Sequence, residues 1–187
     1  MMPEATAREG ERQGRLARVW TVANVLSASR IPLAALFVVV GEPRVRLLVL
    51  AAAAATDLLD GWTARRFGPS SLGAKVDPVS DKIFSLTAFG VLAVSGALSP
   101  LEVLGVLLRD ILTPVGYLAS VVARRPFTTP ARAGGKAVTV GQALTLCAWL
   151  LDSALLRPLA WATAAMALYA LWDYGRLAVR QAERPTD

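Results

Sequence analysis

The chain alternates long apolar runs with short polar breaks. Six runs, residues 20–40, 44–64, 77–98, 101–123, 136–154 and 157–178, each come close to the ~20 residues that a helix needs to cross a bilayer. The breaks between them, "GEPRVR", "RRFGPSSLGAK", "SGALSP", "RRPFTTPARAGG" and "LRP", collect the Gly, Pro, Ser and Arg that end helices. The pattern predicts an all-α fold, an integral membrane bundle of six transmembrane helices. Residues 20–180 form the six-span domain, residues 1–19 a basic juxtamembrane segment and residues 181–187 a disordered tail.

The cations give the orientation. With the N-terminus inside, Arg8, Arg12, Arg15, Arg18, Arg65, Arg66, Lys75, Arg124, Arg125, Arg132, Lys136, Arg176, Arg180 and Arg184 fall on the cytoplasmic side, and Arg44, Arg46 and Arg157 on the other. Cytoplasmic loops carry the excess of Lys and Arg, so both termini are expected in the cytoplasm. The first four of these arginines recur at spacings of three and four, which suits a basic amphipathic helix on the membrane surface and equally a solvated tail. The N-terminal stretch lacks the short apolar core and small-residue cleavage site of a secretory signal.

Composition sharpens this picture. Of 187 residues 55% are hydrophobic, more than a soluble domain of this size carries. The net charge of +6 alone would permit nucleic acid as a partner. In so apolar a chain it reads as loop charge facing anionic headgroups, and no nucleic acid is expected. Histidine is absent, which removes histidine bases, nucleophiles and metal ligands. Cys147 is the single cysteine, so neither a disulfide framework nor a cysteine metal site is available.

Against that background, four carboxylates stand out in "TDLLDGWTARRFGPSSLGAKVDPVSDKI": Asp57, Asp60, Asp77 and Asp81. All four map to the cytoplasmic ends of the second and third runs. Asp57 and Asp60 are three apart and share a helix face with Gly61 and Ala64, while Asp77 and Asp81 are four apart. Pro78 fits a third helix that starts near Asp77, and about a dozen residues, "RRFGPSSLGAKV", then link the two helices. An aspartate at mid-bilayer costs roughly 2.5–3.5 kcal/mol, and less near the interface. Three readings account for that cost. Oxygen-only ligands suit Mg²⁺ or Mn²⁺, and two such ions suit in-line displacement at phosphorus. Intramembrane acids also form cation pathways in transporters. Pairing with Arg65, Arg66, Lys75 or Lys82 would make them purely structural.

The segment "DLLDGWTARRFGPSSLGAKVDPVSD" resembles the signature of the CDP-alcohol phosphotransferase (CDP-alcohol phosphatidyltransferase) family, Asp-x2-Asp-Gly-x2-Ala-Arg followed by Gly-x3-Asp-x3-Asp. Asp57, Asp60, Gly61, Ala64, Arg65, Gly73, Asp77 and Asp81 match every fixed position. Seven residues separate Arg65 from Gly73, where eight or nine is commoner, so the departure falls on the connection and not on the aspartates. The resemblance implies a six-span homodimer with a site facing the cytoplasm, here of a bacterial inner membrane. It implies that Asp57, Asp60, Asp77 and Asp81 hold two divalent cations, Mg²⁺ or Mn²⁺. Asp81 would also take the proton of the attacking hydroxyl. Asp57, Gly61, Ala64, Arg65 and Gly73 would accommodate the nucleotide of CDP-diacylglycerol.

The acceptor is read from other stretches. "ANVLSASRIPLAAL" and "DPVSDKI" resemble phosphatidylglycerophosphate synthases, the latter also cardiolipin synthases, and "LLRDILTPVG" and "GGKAVTVGQ" are similar to the same branch. The expected reaction is transfer of a phosphatidyl group from CDP-diacylglycerol to glycerol 3-phosphate, with phosphatidylglycerol, giving cardiolipin, as the alternative acceptor. Arg109 and Lys136 are candidates for the acceptor's phosphate. The plainer readings are an Arg109–Asp110 ion pair and loop anchoring by Lys136, while Arg30 is a lone cation within the first run. A cation-coupled transporter remains a reading from another class, although no inverted repeat is visible and the acids sit at helix ends.

Overall fold

The computed structural model describes residues 28–67, 73–122 and 133–182. Among these there are six helices and no strand: α1 (28–39), α2 (Pro43–Phe67), α3 (Gly73–Val94), α4 (Pro100–Val122), α5 (Ala133–Leu150) and α6 (Leu156–Ala182). Each coincides with one apolar run of the sequence. The basic segment 1–19, the start of the first run, the "RRPFTTPAR" break and the tail from 183 lie outside the described residues.

Polar side chains set the helix ends. Ser99 and Glu102 form a reciprocal cap on α4: the Ser99 N–H and hydroxyl both donate to Glu102 Oε2 at 2.8 Å, and the Glu102 N–H donates to Ser99 Oγ at 3.3 Å. Pro100 takes the first helical position, where a missing N–H breaks no bond. At the end of α5, Asp152 adopts φ 51°, the Ser153 N–H reaches the Ala148 carbonyl at 2.8 Å and the Asp152 N–H that of Trp149 at 3.1 Å. That is the left-handed closure usually given to glycine, made here by aspartate.

The chain divides into two compact units, Met1–Ala88 and Phe89–Asp187. In the first, Phe37 of α1 meets Phe84 of α3 edge to face, with ring centroids 5.9 Å apart. Arg46 of α2 donates from Nε to the Phe37 carbonyl at 3.1 Å and lies over the Phe37 ring, tying α1 to α2. In the second, α6 packs on both α4 and α5 through small residues. A Cβ on Gly105 would stand 3.0 Å from that of Ala164, and one on Gly141 would meet Thr163 Oγ1 at 2.5 Å, so the backbones approach closely. Thr145 and Thr163 return their hydroxyls to the carbonyls one turn back, at 2.8 and 2.7 Å, and so lie buried without an unpaired donor.

The reading of the α2–α3 connection is corrected. The connection between α2 and α3 is not a dozen residues: α2 runs through Phe67 and α3 begins at Gly73, leaving 68–72 between them. Pro78 accordingly falls in the second turn of α3, not the first, and has no N–H for the carbonyl of residue 74. Among the described residues no helix is long and apolar enough to cross a membrane.

Candidate functional site

Both halves of the aspartate motif lie on helices of the first unit. On α2, positions 57, 60, 61 and 64 follow one stripe; on α3, positions 73, 77 and 81 recur every fourth residue on another. Gly73 is therefore the first helical residue of α3 and not part of a loop. At 60–65 and 73–78 the backbone alone is described, so the side chains of Asp60, Ala64, Arg65 and Asp77 lie outside the description.

Two of the aspartates can be followed to their side chains. Asp57 accepts from Arg30 of α1, Nη2 to Oδ1 at 3.1 Å, with the arginine side chain 2% exposed and the aspartate 55%. One carboxylate face is thus held by a buried guanidinium while the group as a whole stays open to a further ligand. The pairing reading is met for Asp57 by Arg30, a residue that sequence proximity did not nominate. Asp81 is half-buried, between a fully buried Ser80 and a half-buried Lys82.

The donor set decides which metal would fit. Four carboxylates in a chain without histidine offer hard oxygen ligands only, which match Mg²⁺ or Mn²⁺ and not zinc or copper. The exposed side chain of Asp57 leaves room for a dication beside Arg30. Among the described residues no three acids gather as a ready-made metal group.

The second unit holds a separate polar cluster. Asp110 of α4 is buried and accepts from Gln142 Nε2 of α5 at 2.7 Å, and the same nitrogen donates to the Val106 carbonyl at 3.1 Å. Arg109 reaches Asp110 only at 3.9 Å, and its buried Nε has no acceptor. The expected Arg109–Asp110 pair exists but is long, reaching Oδ1, while Gln142 engages Oδ2. Beside the guanidinium lie Gly135 of α5 and the Tyr174 hydroxyl of α6. Lys136 is exposed in the first turn of α5, and Thr139 returns its hydroxyl to the Gly135 carbonyl at 3.3 Å.

Sequence reasoning singled out Arg109, Asp110, Gly135 and Gln142 but missed how they connect, and missed Tyr174 altogether. The one signal for Tyr174 is its place on the α6 stripe that carries Ala160, Ala164, Ala167 and Ala170, all buried.

Known proteins now bear on these features. The aligned part of the chain is 44% identical to a human cardiolipin synthase (CMP-forming) over 69 residues, 34% of this chain and 23% of that protein. A rat cardiolipin synthase (CMP-forming) aligns to the same extent. The match thus spans less than a quarter of the length of these relatives. The profile of CDP-alcohol phosphatidyltransferases matches residues 20–172, which takes in both aspartate stripes and the Arg109 cluster. On that match the chain belongs to the CDP-alcohol phosphatidyltransferase family.

Proposed function

We propose that the chain is an integral membrane, multi-pass transferase of phospholipid biosynthesis. It moves a phosphatidyl group from CDP-diacylglycerol to glycerol 3-phosphate and releases phosphatidylglycerophosphate and CMP. The observation that carries this reading is the register of the family signature, with positions 57, 60, 61 and 64 along one stripe of α2 and 73, 77 and 81 along one of α3. An aqueous fold gains nothing from such placement, whereas carboxylates around phosphate-bound dications need it.

Asp57, Asp60, Asp77 and Asp81 would hold two divalent cations, Mg²⁺ or Mn²⁺. Bound there, these ions neutralise the diphosphate and ease the departure of CMP. The remaining work falls to the chain itself. Asp81 accepts the proton of the glycerol 3-phosphate hydroxyl as its oxygen bonds to the lipid-bearing phosphorus; the bond from that phosphorus to CMP breaks, and CMP leaves with the electron pair. Asp57, Gly61, Ala64, Arg65 and Gly73 accommodate the nucleotide, the small residues allowing close backbone approach. Arg109 and Lys136 bind the acceptor's phosphate. A bacterial inner-membrane location, a site open to the cytoplasm and a homodimer belong to the same proposal. Large apolar side chains exposed on every helix support the lipid environment, among them Val39 (82%), Val94 (90%) and Trp172 (56%).

A second reading keeps the chemistry and changes the acceptor to phosphatidylglycerol, giving cardiolipin. The similarity to human and rat cardiolipin synthases favours it. Membership of a transferase family leaves the transporter reading without support. One experiment separates the readings: purified protein in lipid discs, given CDP-diacylglycerol, Mg²⁺ and a panel of alcohols, with CMP and lipid product both measured. Phosphatidylglycerophosphate from glycerol 3-phosphate, lost on exhaustive chelation and restored by Mg²⁺, is the expected result. Cardiolipin from phosphatidylglycerol would establish the second reading. Absence of CMP with every acceptor would overturn both.

A further inference from the structure

The surroundings of Arg109 are those of a guanidinium placed by packing and not by a partner of its own. Among the described residues its one ion pair is 3.9 Å long, its Nε is buried without an acceptor, and the neighbouring carboxylate of Asp110 is engaged by Gln142 at 2.7 Å. Thr113, one turn further along the same face of α4, also has a buried hydroxyl oxygen without a partner. An arginine retained for stability is expected to meet a carboxylate through two short bonds. Orphaned donors of this kind call for an explanation, and an anion supplied from outside gives one.

The position of the guanidinium depends on one missing carbon. A Cβ on Gly135 would stand 2.8 Å from Arg109 Nη2, 3.3 Å from Arg109 Cζ and 2.9 Å from Tyr174 Oη. Gly134, its neighbour, differs: there a Cβ would meet nothing closer than the Cβ of Ala170, at 3.7 Å. Both glycines lie in the first turn of α5, so helix geometry does not account for the contrast. We propose that Gly135 is a positioning residue for the acceptor: the bare α5 backbone there leaves the space in which Arg109 is seated for the acceptor's phosphate ester. This rests on the assignment of Arg109 to that phosphate. An alanine at 135 would push Nη2 back by about 0.6 Å to reach ordinary contact at 3.4 Å. The displaced atoms are the ends of flexible side chains, so the head group moves and the helices need not.

The test uses the full-length protein in lipid discs, with the acceptor identified by the panel above. KM for acceptor, KM for CDP-diacylglycerol, kcat and the thermal midpoint are measured for each variant. Gly135→Ala is expected to raise the acceptor KM about tenfold, with donor KM and kcat within about twofold. Gly134→Ala is expected to change none of them. Adding Tyr174→Phe to Gly135→Ala removes the second obstructing atom and should recover part of the loss. In an Arg109→Ala background, Gly135→Ala should add nothing further, and that background relieves the crowding should the single variant fold poorly.

An unchanged acceptor KM in Gly135→Ala, or a parallel rise in both KM values, would overturn the positioning role. So would a full additional loss in the Arg109→Ala background. Failure of the underlying assignment looks different, since Arg109→Ala itself would then leave the acceptor KM unchanged.

Discussion

Asp57 is half-exposed yet tied to a fully buried arginine, and Asp81 sits half-buried beside Ser80 and Lys82. These environments suit different tasks. A carboxylate fixed on one side by a guanidinium is held in one orientation, which favours a ligand. The proposed proton acceptor must instead take up a proton from the acceptor hydroxyl during turnover. Asp81→Asn keeps size and shape, removes the proton acceptor and weakens one proposed metal ligand, so transfer should fall by more than about 10²-fold. The check is single-turnover CMP release from purified variant whose thermal midpoint matches the parent. Turnover near the parent rate would remove Asp81 from the reaction.

At the level of elements, the reciprocal Ser99–Glu102 cap governs the start of α4, the helix that carries Arg109. Ser99→Ala deletes two of its three bonds and leaves Glu102, 7% exposed, with one donor fewer. A loss of about 1 kcal/mol is expected, read as a lower midpoint of thermal unfolding in detergent; an unchanged midpoint would mean that the cap contributes nothing to α4. The helices were the most legible part of the sequence, because apolar runs bounded by Gly, Pro and Ser state their own limits to within a few residues. The start of α3 was misjudged by four residues because Pro78 was taken as a first-turn signal, and helical bonding continues past it to Gly73. In the site, the stripes on α2 and α3 were legible from spacing, since a helix converts sequence offset directly into angle. The Arg30–Asp57 pair was not, because it joins residues 27 apart on different helices and no local periodicity encodes that contact. The Gln142–Asp110 contact and Tyr174 escaped for the same reason: the residues they approach lie on other helices, and only tertiary packing brings them in reach.

On the scale of the whole molecule, the surface departs from the aqueous rule. Arg30, Asp110, Gln142, Thr145 and Thr163 are buried, while Val39, Leu58, Val94, Leu101, Val140 and Trp172, one from each helix, are more than half exposed. Polar side chains are thus held within the fold while apolar ones face out from every helix. The full-length chain should therefore stay with the membrane pellet through an alkaline carbonate wash and leave it in detergent; recovery in the carbonate supernatant would overturn the spanning proposal. The brevity of the stretch between α2 and α3 has a final consequence. Five residues, 68–72, bridge no more than about 20 Å even when drawn taut, so the far end of one acidic helix is leashed to the near end of the other. An insertion into either helix would swing its downstream carboxylate about 100° around the axis and out of line. A residue gained or lost in the leash leaves both stripes intact, and the spacing in which this signature runs short, Arg65 to Gly73, takes in all five of those positions.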